Sequence, residues 1–431
     1  MRKFLNHDFI WQSAIAFTIR IIAAFSAFFL SVVITRVLGV EQSGYYFLTF
    51  TLVSVLAVFS RIGLDQTLLR FTSEAFSNKN SFQIKDVLLK SLLITVPVSG
   101  VLSFFLYILS DIIANELFGQ PGMAEPIKNM ACGIIGLSVI THVSISLQAM
   151  GHIICSIIII NIGINLLLIG ALLIFSLTDA QELATYFSMA SLTIIVLSFL
   201  YWKYIQPVSG SSKKVTISWS VLYQSCMPLW VVMISAQLIQ WSAQLIAGAW
   251  VSPAELSMLA VAQRTAMLTS FVLVAVNLVV APRFAAMFKR GDLKGVEHMA
   301  KLSVFMMALF SLPIVVFMLI FPEFIMSIYG EKFIGGACLL QILVLGQFIN
   351  VVTGSVGYLL SMTGNEKKLR NSMIFSAPFA VIASLILVPI YGATGSAIAT
   401  ALAVSVQNLL ASWHVKQALG FNTFAIWRKL T

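Results

Sequence analysis

The stretch IICSIIIINIGINLLLIGALLIFS, residues 153–176, runs for 24 residues without one charged side chain. As a helix rising 1.5 Å per residue it would be about 36 Å long, enough to cross a hydrocarbon core roughly 30 Å thick. A helix satisfies its own backbone groups in that medium, which has no water to do so. Outward from this block, similar runs recur at 10–34, 43–60, 88–110, 129–150 and 185–204. After a polar break they resume at 222–249, 254–281, 299–321, 335–361, 371–389 and 392–414. The 431 residues are 59% apolar and only 10% charged, against about 25% charged in soluble domains. These blocks define an all-α polytopic membrane protein with about 12 transmembrane helices.

A formal net charge of +10 would suit a nucleic-acid binder, but no basic stripe with interleaved aromatics is present and no nucleic-acid partner is expected. The basic residues sit in short segments between spans. Of the 26 lysines and arginines, Arg36, Lys128 and Lys332 fall on one side and Arg20 and Arg264 inside spans. The remaining 21 fall on the side that holds both termini, so the positive-inside rule puts both termini in the cytoplasm. Arg20 interrupts the first apolar run and no small-residue cleavage site follows, so that run is read as a retained span rather than a signal peptide. Cys132, Cys155, Cys226 and Cys338 form no CxxC pair and are expected as small core residues.

The chain repeats itself. Arg70-Phe71 recurs as Arg283-Phe284, and Leu147 with Gly151 recurs as Leu360 with Gly364, each pair 213 residues apart. Six spans return a chain to its starting side, so the two halves are parallel repeats. Their boundary is expected in the linker Gln206–Lys214, which gives six-helix lobes at 1–208 and 209–431.

No catalytic constellation is present: no GxSxG, HExxH or P-loop, and no carboxylate cluster in a span. Neither an enzyme, a metal site nor a cofactor is expected. His7, His142, His152, His298 and His414 are far apart and are expected to be interfacial or hydrogen-bonded. Arg20 and Arg264 stand out. Each is placed about ten residues into a span, where an arginine costs roughly 2.5–3.5 kcal/mol on insertion scales and normally faces a water-filled cavity or a partner. No carboxylate lies in an assigned span core to serve as that partner, and an anionic ligand would supply the missing charge. Ala16, Ala23 and Ala27 share a helical face with Arg20 and leave room beside it. Gln237, Gln240 and Gln244 make a polar stripe at i, i+3 and i+7, and Gln263 adjoins Arg264. These groups either contact a substrate in a cavity or tie helices together by hydrogen bonds. Pro97, Pro228, Pro313, Gly346, Gly354 and Gly357 fall within spans, as in bent membrane helices.

Several runs resemble one family. LGVEQSGYY (38–46) and GLDQTLLRF (63–71) resemble the N-terminal lobe of bacterial polysaccharide flippases. These are the O-antigen, Wzx-type members of the multidrug/oligosaccharidyl-lipid/polysaccharide exporter superfamily. NLVVAPRF (277–284) with Gly291-Asp292, MTGNEK (362–367) and YGATGSAIATA (391–401) resemble later segments of the same family. The resemblance implies two six-helix lobes around a central cavity that opens to each side in turn. It implies undecaprenyl-diphosphate-linked oligosaccharide as substrate, moved across the inner membrane for O-antigen or capsule-type lipopolysaccharide and polysaccharide biosynthesis. Membrane lipids and polysaccharide polymerase or assembly proteins are the partners it implies. Functionally important arginines lie in the first and eighth spans of related lipid flippases, the spans that hold Arg20 and Arg264. A cation-coupled multidrug exporter of the same fold is the first rival, but it would want an intramembrane carboxylate. A membrane polymerase or ligase is the second, and it would want a long external catalytic loop.

Overall fold

The computed structural model describes residues 7–175, 177–206 and 216–423. Every regular element among them is a helix. Ten segments are long and apolar enough to cross a membrane. The first and last are double-length: α1 (His7–Ser60) and the C-terminal helix Glu366–Leu419 each have 54 residues. Each breaks at one glycine, Gly39 (φ 77°, ψ −179°) and Gly392 (φ 58°, ψ −133°). These backbone angles are open to glycine and closed to residues with a Cβ. Each long helix is therefore two helices joined at a glycine kink, and each half has at least 21 residues, about 31 Å, enough to cross a membrane core. The outer surface is that of a membrane protein: Phe25, Leu173, Ile174, Phe375 and Ile390 are more than 60% exposed.

Between the two long helices run α2 (Leu64–Ser77), α3 (Ser81–Ile108), α4 (Gly133–Ala149), α5 (Ile153–Ile174) and α6 (Ala180–Ile205). After the linker come α7 (Trp219–Ala247), α8 (Pro253–Met267), α9 (Phe271–Lys289), α10 (Leu293–Ile320), α11 (Ala337–Thr353), α12 (Val356–Met362) and α13 (Glu366–Leu419). Backbone contacts divide the chain into two compact units, Met1–Ile234 and Ser235–Thr431, and the division falls inside α7. Linker residues 207–215, on which the sequence boundary rests, lie outside the described residues.

In the N-terminal unit, Leu64 and Leu68 of α2 and Val87 and Leu88 of α3 form one core with Ile217, Leu222 and Cys226 at the start of α7. A second core joins Ala75, Ile84, Val139, Val143 and Leu147. In the C-terminal unit, Val280, Phe284, Val296, Leu359, Leu360 and Val415 pack together.

The repeat is visible in backbone detail. Leu147 and Leu360 are both fully buried. Each helix ends in the same turn: His152 N donates to Leu147 O (3.0 Å) and Gly151 N to Gln148 O (3.0 Å). In the other unit Asn365 N donates to Leu360 O (2.8 Å) and Gly364 N to Ser361 O (3.4 Å). Gly151 (φ 89°) and Gly364 (φ 74°) supply the left-handed residue that this cap requires. The joint between α2 and α3 is likewise repeated between α9 and α10. Asn80 Oδ1 accepts from Gln83 N at 3.1 Å, and Asp292 Oδ1 accepts from Gly295 N at 2.8 Å.

Three expectations need correction. Cys226 is buried as expected, but Cys132, in the turn before α4, and Cys338, on α11, are exposed. The first span continues to the Gly39 break rather than ending at residue 34, because nothing before that glycine stops the helix. And residues 64–77, read as part of a connecting loop, are an amphipathic helix with Leu64, Asp65, Thr67, Leu68, Thr72 and Ala75 buried.

Candidate functional site

Helix α8 is set by its first turn. Ser252 Oγ accepts from Glu255 N at 3.3 Å, Glu255 Oε2 accepts from Ser252 N at 3.1 Å, and Pro253 occupies the first helical position. Such a reciprocal box stabilises a helix start by about 1 kcal/mol. Arg264 follows twelve residues later, about 18 Å along the helix. It is half-buried, and its Nη1 donates to Ala260 O at 3.4 Å. Next to it, Thr265 Oγ1 donates to Val261 O at 2.7 Å and so accepts from the Tyr329 hydroxyl, 2.6 Å away. Burial pushes the Tyr329 phenol up to about 12, against the Thr265 hydrogen bond and the Arg264 charge, which pull it down. Tyr329 is therefore a neutral donor.

The glutamines converge on the same helices. Gln263 is 2% exposed, and its Nε2 donates to the Gln240 carbonyl of α7 at 2.8 Å. Gln240 Nε2 in turn reaches Met267 Sδ at 3.6 Å. Gln244 is fully buried and Gln237 half-buried. Gln263 and Gln240 thus tie α7 to α8, and the Gln263 Oε1 has no hydrogen-bond partner among the described residues.

Arg20 belongs to the other unit. It is half-buried on α1, nineteen residues before Gly39, about 28 Å along the helix. Beside it, Ile19 and Ala23 pack on Ile157 and Ile162. One turn further, Asn165 Nδ2 donates to Ser26 Oγ at 3.0 Å. Asn161 lies in a π-helical stretch, Ile158–Gly163, of the kind that often marks functional helices. The alanine face divides: Ala23 is buried, Ala27 is exposed, and the Ala16 side chain lies outside the described residues.

Two polar groupings were not singled out from the sequence. In the C-terminal unit, Ser270 Oγ donates to Gln347 Oε1 at 2.8 Å, and Asn350 Nδ2 approaches the same oxygen at 3.2 Å. Asn277 of α9 is 4% exposed, and neither of its amide atoms has a partner among the described residues. Its place in the NLVVAPRF motif was the only signal. In the N-terminal unit, Arg61, Asp65 and His142 form a buried charged group. His152 and His414 are hydrogen-bonded as expected, to Tyr201 and Ser372. His142 is neither interfacial nor hydrogen-bonded among the described residues, since the packing of α4 encloses it completely.

A family model described as "Polysaccharide biosynthesis protein" matches residues 10–288, and one described as "MatE" matches residues 228–386. Among solved structures, the lipid II flippase MurJ in its inward closed conformation aligns with a TM-score of 0.71 at 15% identity, covering 94% of this chain and 87% of that chain. The MATE multidrug transporter DinF-BH aligns with a TM-score of 0.71 at 17% identity, covering 98% of each. An inward-facing MATE transporter of the MOP superfamily gives 0.67 at 14% identity, covering 94% of this chain and 96% of that chain. No curated protein matches the chain. The structure is that of a multi-pass membrane protein with the MOP-superfamily fold. The chain belongs to the polysaccharide biosynthesis protein family.

Proposed function

We propose that this protein is a flippase for undecaprenyl-diphosphate-linked oligosaccharide repeat units, working by alternating access in the bacterial inner membrane with both termini cytoplasmic. Its product serves O-antigen or capsule-type polysaccharide synthesis, and it carries out no covalent chemistry. The observation that carries this reading is the polysaccharide biosynthesis family match over residues 10–288, a range that includes Arg20 and Arg264. Physically, a diphosphate cannot enter a low-dielectric core uncompensated. Arg20 and Arg264 bind its charge, and Gln237, Gln240, Gln244 and Gln263 offer amides to sugar hydroxyls. The lipid tail stays in the bilayer throughout.

Multidrug export is the second reading, favoured by the MatE match over residues 228–386. A cationic drug or coupling cation calls for a free membrane carboxylate. Asp65 is the one buried carboxylate among the described residues, and Arg61 already neutralises it.

Deleting the gene and analysing the lipid fraction by mass spectrometry tests the proposal. A diphosphate-linked glycan should accumulate on the inner leaflet while the surface polymer disappears. Unchanged surface polymer, with new sensitivity to cationic drugs, would transfer the argument to the second reading.

A further inference from the structure

The N-terminal unit holds a group of side chains that substrate binding does not use. The second half of α1 ends at Ser60, and a three-residue turn leads into α2. Arg61 in that turn sets its Nε 3.0 Å from both carboxylate oxygens of Asp65 and its Nη1 3.3 Å from Ala57 O. Ala57 O also accepts from Ser60 Oγ at 2.9 Å and from Ser138 Oγ of α4 at 3.2 Å. One turn along α4, His142 Nε2 lies 3.6 Å from Asp65 Oδ1. That distance is too long for a hydrogen bond and short enough to become one with a small shift. His142 is fully buried, and neither ring nitrogen has a hydrogen-bond partner among the described residues. A buried imidazole without partners is a costly arrangement that calls for an explanation.

We infer that His142, Asp65 and Arg61 form a proton-binding site that locks or releases the turn between α1 and α2. With His142 neutral, Asp65 belongs to Arg61, and Arg61 in turn grips the end of α1 through Ala57 O. When a ring nitrogen of His142 takes a proton from solvent, both nitrogens become donors. The imidazolium then draws Asp65 into a charged hydrogen bond and loosens the hold of Arg61 on the turn. No bond other than N–H forms or breaks, and the added charge stays on the imidazole. Arg61 and Asp65 are 8% and 7% exposed, against 0% for His142.

The groups facing His142 support this assignment. Asp65 and Arg61 are the charged groups that act on it. Asp86 and Lys90 of α3 are turned to the backbone of Ile217. Tyr201 of α6 is engaged with His152 and with Cys155 of α5, while Lys85, Lys203 and Tyr204 are exposed. The last eight residues of α1 contain no titratable group.

What the lock controls is the seat of α7 within the same unit. Gly63 adopts φ 70°, and a Cβ there would lie 2.4 Å from both Cys226 O and Trp230 N. Trp230 Nε1 donates to Phe59 O at 3.2 Å, and Thr67 Oγ1 meets Ser225 Oγ at 3.2 Å. Residues on both sides of Arg61 thus hold the first half of α7, so loosening the turn loosens that helix.

Amide hydrogen exchange on the full chain in lipid nanodiscs tests this, at pH 4.0 and pH 8.0, after correction for intrinsic exchange rates. In the wild type, residues 59–66 and 222–230 should exchange at least tenfold faster at the lower pH. His142→Gln should remove that difference, as should Asp65→Asn. His142→Leu fills the same space without titrating and serves if the glutamine variant does not accumulate. Equal protection at the two pH values in the wild type would overturn the inference without any variant. A wild-type pH difference that persists in either His142 variant would overturn it as well.

Discussion

Gly346 of α11 lies against Ala401 of α13 so closely that a Cβ on the glycine would stand 2.6 Å from the Ala401 Cα. In the other unit, 213 residues earlier, Gly133 begins α4, where a Cβ would stand 2.6 Å from the Phe187 ring of α6. The same pair of spans in each repeat is thus brought together over a glycine. In a membrane, small residues of this kind let helices gain close packing that apolar burial alone does not supply.

Gly346→Ile should therefore force α11 from α13 and cost about 1–3 kcal/mol or more. Thermal melting in detergent should show a clear fall in Tm. Gly170→Ala is the control, because a Cβ at Gly170 meets nothing within 4 Å. Equal melting of the two variants would show that the contact at Gly346 is slack.

Tyr329 gives a pH-dependent prediction. Its phenol is held neutral by burial, with a folded value of about 12 against the ordinary 10.0. A raised value means that the stability it lends is whole below pH 10 and is lost as pH rises toward 12. From pH 9 to 11.5 the wild type should lose more thermal stability than Tyr329→Phe. Parallel losses would mean that the phenol ionises freely in the folded chain.

The sequence made the membrane class and the repeat legible, because both are written in many residues at once. The glycines 151 and 364 are required by the same left-handed cap, and so they survive in register. At the end of α2, however, Lys79 (φ 53°) takes the left-handed position that Gly291 (φ 75°) holds in the other unit. There geometry repeats without identity, and sequence comparison is blind to it. The buried charges were hidden for a different reason. Asp65 follows a turn and looks like a loop residue, and only the packing of α2 on α4 shows that it faces His142. Arg264 and the glutamines were legible as costly polar groups in apolar runs. Their partners were not, since Gln263 bonds a backbone carbonyl that carries no sequence signal.

The orientation is checked by cysteine accessibility. Cysteine placed at Asp179 should be labelled by a membrane-impermeant maleimide from outside, and cysteine at Ser209 should be protected until the membrane is permeabilised. The reverse pattern would invert the topology.

The arginines carry the substrate prediction. Arg264→Ala and Arg20→Ala should each lower export at least tenfold while the protein still accumulates, since a hydrogen bond to a charged group is worth about 1.5–3 kcal/mol. Lysine at either position should restore part of it, because the charge stays but the planar fork that grips phosphate oxygens is lost. Wild-type export by both alanine variants would make the arginines structural.

The most direct measurement is flipping by the purified protein in proteoliposomes. Undecaprenyl-diphosphate-linked oligosaccharide is placed in both leaflets, and the fraction open to an impermeant glycan-cleaving enzyme is followed with time. Vesicles containing the protein should expose nearly all of the lipid-linked glycan. Protein-free vesicles and those with Arg264→Ala should stop near the half that begins in the outer leaflet. If wild-type vesicles also stop near half, while the same preparation moves a cationic dye across the membrane, the protein is not a flippase for diphosphate-linked glycans.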